Sequence, residues 1–183
     1  MKIEHEIEIT PNSLVLDGRV IEVSETGDKM LVELYRRYVK DYPKFFKMDT
    51  LSRLGFIAAE ILLQEHRVQN TEYRPDAVIL ANRSASIKND TDYLATISDG
   101  NYYPSPALFV YTLPNIVTGE IAIRHQIQGE TSFYILDKPE ELKPIIQSAF
   151  SLQPSEFRSI LAGWCECSKA NEYYAKLQII WNN

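Results

Sequence analysis

Cysteine, histidine and glycine are scarce in this sequence: two, three and seven among 183 residues. Cys165 and Cys167 are too few and too close together to build a disulfide framework, which agrees with a reducing compartment. His5, His66 and His125 lie far apart with no HxxxH or HxxE spacing, so no metal site and no paired base shows itself, and each reads as a surface or helix-end residue. The glycines form neither GxGxxG nor GxxxxGK[ST], and the GxSxG nucleophile elbow is absent too. No apolar run reaches the roughly 18 residues that a bilayer demands. The opening MKIEHEIEIT alternates charge with isoleucine, whereas a signal peptide needs a basic start and an apolar core. No membrane partner is therefore expected, and the cytoplasm is the default location. Positive charge is also short, with 19 Lys and Arg against 25 Asp and Glu for a net charge of -6, which argues against nucleic acid as a partner. A local basic patch of Arg36, Arg37 and Lys40 can still serve an acidic protein.

What is present is the composition of an ordinary globular protein, 45% hydrophobic and 24% charged, long enough to bury one core as one domain. Residues 1–25 alternate through Ile3, Ile7, Ile9, Leu14, Leu16, Val20, Ile21 and Val23, with turn signals at Pro11-Asn12 and Asp17-Gly18, and predict an extended or hairpin-like opening. From Thr26 the period becomes helical through Met30, Leu31, Leu34, Tyr35 and Tyr38, ending before Pro43. A short aromatic connector follows at Lys44 to Met48. Asp49 or Thr50 can then cap a second helix with a broad apolar face from Leu51 to Leu62. After the polar stretch His66 to Arg74, DAVILA (Asp76 to Ala81) has the character of a buried parallel strand. Asn82 to Lys88 reads as a polar loop, Asp90 to Ile97 as a weak helix, and Ser98 to Pro106 as irregular. Thr131 to Leu136 predicts a second short strand, Glu140 to Ser151 a third helix with acids in its first turn, and Ile160 to Cys167 and Tyr173 to Trp181 an antiparallel pair. The alternation predicts an α/β domain with a mixed sheet of about five strands layered with helices.

The central stretch is Pro104 to Glu130, PSPALFVYTLPNIVTGEIAIRHQIQGE. Thr112 can cap a helix with Pro114 in its first turn; Ile116, Ile123 and Ile127 would share a face, with Val117 and Ile121 beside it. Gly119 inside that helix costs about 1 kcal/mol relative to Ala, so a close helix contact is the expected compensation. No chemistry is visible from the residues alone. Cys165-Glu166-Cys167 could be a metal clip, but two thiolates without a second pair rarely hold zinc, and on a strand both would face the core while Trp164 faces outward as a surface or interface aromatic. Asp90 and Asp92, beside Asn89, form an exposed acidic cluster rather than a paired acid and base. Catalytic, cofactor-binding and metal-binding residues are thus all read as none.

DYPKFFKMDTLSRLGFIAAEILL (Asp41 to Leu63), VILANRSAS (Val78 to Ser86) and SPALFVYTLPNIVTGEIAIRHQIQGE (Ser105 to Glu130) together resemble the amino-terminal half of a β-ketoacyl-acyl carrier protein synthase of the thiolase superfamily. In that family a serine-proline lead-in, a TLPN-like helix start, an internal small residue and a Gly-Pro turn precede the strand that carries the cysteine nucleophile. The resemblance covers about residues 40–170. It implies that residues 1–183 are a single ketosynthase-like amino-terminal domain, a thiolase-like half-domain. It also puts the nucleophile near Asp137 and Lys138, neither of which attacks a thioester as cysteine does. ILAGWCEC falls on a later strand with no catalytic duty, and the carboxyl-terminal half that supplies the decarboxylation residues is missing. The implied function is a non-catalytic subunit or scaffold in fatty-acid or polyketide-type synthesis, as chain-length-factor relatives are. Two alternatives stand beside it. One is an acyl-chain or acyl-carrier-protein binding module using Phe109, Val110 and Tyr111; the other is a 3-oxoacyl synthase activity completed by a partner chain, using Cys165 or another partner-completed site. The implied partners are a full-length ketosynthase, an acyl carrier protein, or a second copy joined through a strand near the nucleophile region.

Overall fold

The alternating apolar segments assemble into one mixed sheet of seven strands in the order β3-β2-β1-β7-β6-β4-β5. The structure, a computed structural model, describes residues 1–69, 74–100, 103–152 and 157–182, except for the side chains of 66–69, so the His66 side chain and residues 70–73 of the polar stretch after it lie outside what is described. The strands are β1 (Lys2–Thr10), β2 (Ser13–Leu16), β3 (Arg19–Ile21), β4 (Ala77–Asn82), β5 (Thr131–Ile135), β6 (Ser159–Lys169) and β7 (Glu172–Trp181). The helices are α1 (Gly27–Leu34), α2 (Thr50–Gln69), α3 (Ile87–Leu94), α4 (Pro106–Val110), α5 (Ile116–His125) and α6 (Leu142–Leu152). Seven strands replace the expected five or so because the opening folds into a three-strand meander, which joins the main sheet where β1 pairs antiparallel with β7. No helix among the described residues is long and apolar enough to cross a membrane.

β4 is buried along its whole length and runs parallel to both neighbours, β5 and β6, which is what its unbroken apolar run requires. The connection from β4 to β5 steps to the edge of the sheet and that from β5 to β6 steps back past β4. Right-handed crossovers in opposite directions put their helices on opposite faces. α5 accordingly packs with α1 and α2 over Val78, Leu80, Leu161, Cys165 and Leu177, and α6 covers Ile79, Ala81, Ile160 and Ala162 on the other side. β6 and β7 form the antiparallel pair, and β7 is paired on both edges. Cys165 and Cys167 face the first core as expected. Trp164 does not reach the surface: it lies in the second core, 8% exposed, because α6 roofs that face too. Glu140, Glu141 and Lys143 stay in water.

α1 buries Met30, Leu31 and Leu34, and continues through one wide turn, Tyr35–Val39, to Lys40 in the left-handed region (φ +69). α2 is capped by Asp49, whose Oδ1 accepts the Ser52 amide at 3.0 Å. α3 begins at Ile87, earlier than its sequence suggests, where Ser86 Oγ lies 3.1 Å from Asp90 Oδ1 and the chain turns at Ala85 (φ +51). The acidic cluster there is engaged rather than free: Asn89 is buried, and Asp92 pairs with Lys88.

α5 departs most from its sequence reading. It starts at Ile116 after Asn115, whereas the Thr112 hydroxyl donates back to the Phe109 carbonyl at 2.7 Å. Its buried face is Val117, Thr118, Ile121, Ala122 and His125, and Ile123 is 68% exposed. Glu120, Arg124 and His125 point toward polar partners on α2 and the connector before it. Gly119 faces open space. The close helix contact lies across the interface at Gly55 of α2, where a Cβ would overlap Val117 Cγ2 and sit 3.3 Å from Cys165 Sγ.

Candidate functional site

The carboxyl ends of β4, β5 and β6 lie together, since Asn82 is level with Ile135 and Ala81 with Trp164. In parallel sheets this is the end at which crevices and ligands are found. Here it is closed by the chain's own hydrogen bonds. Glu166 accepts the Arg83 amide at 2.9 Å and the Ser84 hydroxyl, and the fully buried Asn82 side chain brackets Ala85 with two 2.8 Å bonds. Asp137 and Lys138 follow β5 in an exposed turn. The segment from Pro104 is pinned above this end: Ser105 caps α4 through the Leu108 amide, Asn89 donates to the Leu108 carbonyl at 2.7 Å, and Ser86 donates to Thr112 O at 2.7 Å. These bonds hold α4 so that Phe109, Val110 and Leu113 stay exposed while Tyr111 is buried.

Both cysteines are poor nucleophiles where they stand. Burial, with smaller contributions from neighbouring acidic groups and, for Cys165, the other thiol, raises the Cys165 thiol well above its ordinary value and Cys167 to about 12. Cys165 Sγ lies 3.8 Å from the Leu51 carbonyl, closed off by α2. Among the described residues no group of three or more His, Cys, Asp and Glu is arranged to hold a metal ion.

A charged network ties α5 to α2 and to the connector before it. His125 Nε2 lies 3.0 Å from Glu60 Oε1, and Arg124 Nε donates to the same oxygen at 2.9 Å while its Nη2 reaches Asp41 Oδ1 at 2.6 Å. Burial pushes the Glu60 carboxyl up, but its bond and charge contact with His125 and those with Arg124 outweigh this and leave it below its ordinary value. Tyr42 donates to Glu120 Oε2 at 3.0 Å, and Lys44 pairs with the other oxygen. Burial, then the bond to Glu120, pushes the Tyr42 hydroxyl up to about 12. His125 is therefore a buried partner and not a surface residue, and His5 is likewise buried, with Nδ1 2.7 Å from Asp17 Oδ2. The signal for this network was the recurrence of Glu60, Glu120 and Arg124 on otherwise apolar helices, which demands partners. Its members pair with one another across α2, α5 and the connector, and the arrangement fixes the connector.

The chain matches no protein-family model and no curated protein. Its likeness is to solved structures, and the class they define is the thiolase-like mixed α/β fold of ketosynthases. One is the ketosynthase ApeO in complex with its chain length factor ApeC from Xenorhabdus doucetiae, with a TM-score of 0.65 at 13% identity over 100% of this chain and 79% of that chain. Another is the ishigamide ketosynthase/chain length factor, with a TM-score of 0.70 at 16% identity over 98% of this chain and 61% of that chain. At such identities the likeness is one of fold.

Proposed function

We propose that residues 1–183 act as one ketosynthase-like unit, a partner subunit or scaffold in polyketide- or fatty-acid-type synthesis that does not itself catalyse condensation. The observation that carries this is the turn after β5. There the resemblance puts a nucleophilic cysteine, and this chain has exposed Asp137 and Lys138, while its two cysteines are buried elsewhere with thiols held protonated. The solved neighbours, which pair a ketosynthase with a chain length factor, support the choice of a ketosynthase-like chain as partner. So does β5 itself, which among the described residues is an edge strand of the sheet, with Ile135 52% exposed at its end. A second copy of this chain could occupy the same edge.

The test is condensation of acyl and malonyl carrier-protein substrates by the purified chain, alone and with a full-length ketosynthase. The expected result is no β-ketoacyl product from the chain alone and a stable complex with the ketosynthase that Ile135→Lys weakens. Product from the chain alone would overturn the reading. An acyl-chain or carrier-protein binding role is favoured by one further observation, the exposure of Phe109, Val110 and Leu113 around α4. Native mass spectrometry with acyl-carrier protein separates the two, since a scaffold binds the synthase without retaining the acyl group. A synthase activity completed by a partner would have to open the cover over Cys165, and its survival in Cys165→Ala would exclude that thiol.

A further inference from the structure

The chain leaves α1 through two unusual turns in succession. The wide last turn is closed by the Lys40 amide on the Tyr35 carbonyl at 3.1 Å, and it is braced from α2 by Gln64 Nε2, which donates to the Tyr38 carbonyl at 2.6 Å. Lys40 then stands at φ +69 and ψ -35, and the Asp41 amide returns to the Val39 carbonyl at 2.9 Å, only two residues back. This is a three-residue turn of the rare, strained hand. Its negative ψ keeps Lys40 out of the left-handed well that L-residues occupy at modest cost. The Lys40 side chain is exposed, so burial does not offset the strain.

What holds this course lies beyond the turn. The Tyr42 amide donates to the Tyr35 hydroxyl at 3.1 Å, and the Tyr42 ring stacks on buried Phe56 at 4.9 Å. The remaining ties are the side-chain bonds to α5 described above, from Asp41 to Arg124 and from Tyr42 and Lys44 to Glu120. Asp41 and Lys44 are themselves 68% and 50% exposed, and ion pairs so open to water hold weakly. From Phe45 onward the anchoring is firm. Phe45 is fully buried and stacks on Tyr35 at 4.5 Å, and Arg53 donates to the carbonyls of Phe45 and Phe46.

We propose that residues 40–44 are a strap poised to open. The segment swings away from α5 between a strained hinge at Lys40 and a fixed end at Phe45, while α1, α2 and α5 stay folded. Opening relaxes Lys40 and bares the face of Phe56 that Tyr42 covers. Arg124 gives up Asp41 but keeps Glu60, so the ion pair between α5 and α2 survives the movement. Glu120, 5% exposed beneath the strap, loses Tyr42 and Lys44 and meets water in their place, so no carboxylate is left buried without a partner. The device therefore gates an aromatic seam between α2 and α5.

The experiment is hydrogen–deuterium exchange, read by mass spectrometry on the full chain and on Lys40→Gly, Lys40→Ala and Asp41→Asn. In the parent, the amides of Lys40, Asp41 and Tyr42 are expected to exchange at least about a hundredfold faster than those of Leu54 to Leu62 in α2. Glycine adopts the turn without strain, so Lys40→Gly should slow the strap amides by about three- to tenfold, even after the freedom that glycine gains in the open strap. Lys40→Ala removes the charge and keeps the strain, and should match the parent. Asp41→Asn weakens the tie to Arg124 and should speed the strap amides about threefold or more, with α2 unchanged. Strap exchange as slow as that of α2, equal rates in the glycine and alanine variants, unchanged exchange in Asp41→Asn, or an equal shift of strap and α2 in any variant would each overturn the proposal.

Discussion

Replacing Gly55 with alanine puts a methyl group into the tightest point between α2 and α5. As a helix substitution alone, Gly→Ala gains about 1 kcal/mol. Against this, the new Cβ would overlap Val117 Cγ2 and touch Cys165 Sγ at 3.3 Å. Val117 is fully buried and β-branched, so it has one preferred rotamer in a helix and no space to swing into. The helices must then part, and overpacking of this kind costs about 1–3 kcal/mol, here toward the upper end, for a net loss of about 2 kcal/mol. For a chain of this length that lowers the melting temperature by about 4–8 °C. Urea unfolding of the two single variants and the pair supplies the control. In a Val117→Ala background the methyl has room, so Gly55→Ala should become neutral or stabilising, with a coupling of about 2 kcal/mol. Equal effects in both backgrounds, or a higher melting temperature for Gly55→Ala alone, would refute the close-contact argument. Gly119→Ala, with open space around it, should stabilise by about 0.5–1 kcal/mol.

Glu60→Gln should cost about 2–3 kcal/mol, because it removes the carboxylate that Arg124 and His125 share on a buried face while Arg124 keeps some access to water. Since the folded Glu60 titrates below its unfolded value of about 4.3, its stabilisation is complete above that pH and is lost as pH falls through the lower folded value; urea midpoints should fall less between about pH 6 and about pH 3 in the variant than in the parent. Cys165 and Cys167 should resist Ellman's reagent at pH 8 in the native protein and react together in urea, and rapid native labelling of either would contradict their burial. Asn171→Ala should cost about 1 kcal/mol in thermal unfolding, because its Oδ1 accepts the Asp28 amide at 3.0 Å and caps α1 from the β6–β7 turn.

The legible parts of the fold were those with a period or a stop signal of their own. DAVILA gave a parallel strand because only a strand covered on both faces is apolar throughout, and Asp49 sits one residue before the helix it caps. The misread parts depended on partners distant in sequence. Gly119 and Gly55 are both helix glycines, and only the crossing of α2 and α5 decides which one is crowded. Trp164 was assigned outward by strand alternation, which fixes its face and says nothing about α6 lying over that face. His125 looked like a helix-end cation, and its carboxylate partner lies 65 residues earlier in the chain. At the candidate site, Asp137 and Lys138 were located by resemblance and found exposed. The cover over Cys165 had no signature of its own.

The position of β7 between β6 and β1 has a consequence for the order of assembly. Its pairing with β1 joins positions from opposite ends of the sequence, Lys2 with Trp181 and Ile9 with Ala175. A ribosome delivers the β1–β3 meander first, and that meander then waits with an open edge and with Ile7 and Ile9 uncovered while the parallel half of the sheet is made. Only when β7 emerges can the two half-sheets be zipped into one. Such long-range closure is slow and exposes strand edges meanwhile, so yield in cells should respond to chaperone supply and to translation speed more than the finished protein's stability would suggest.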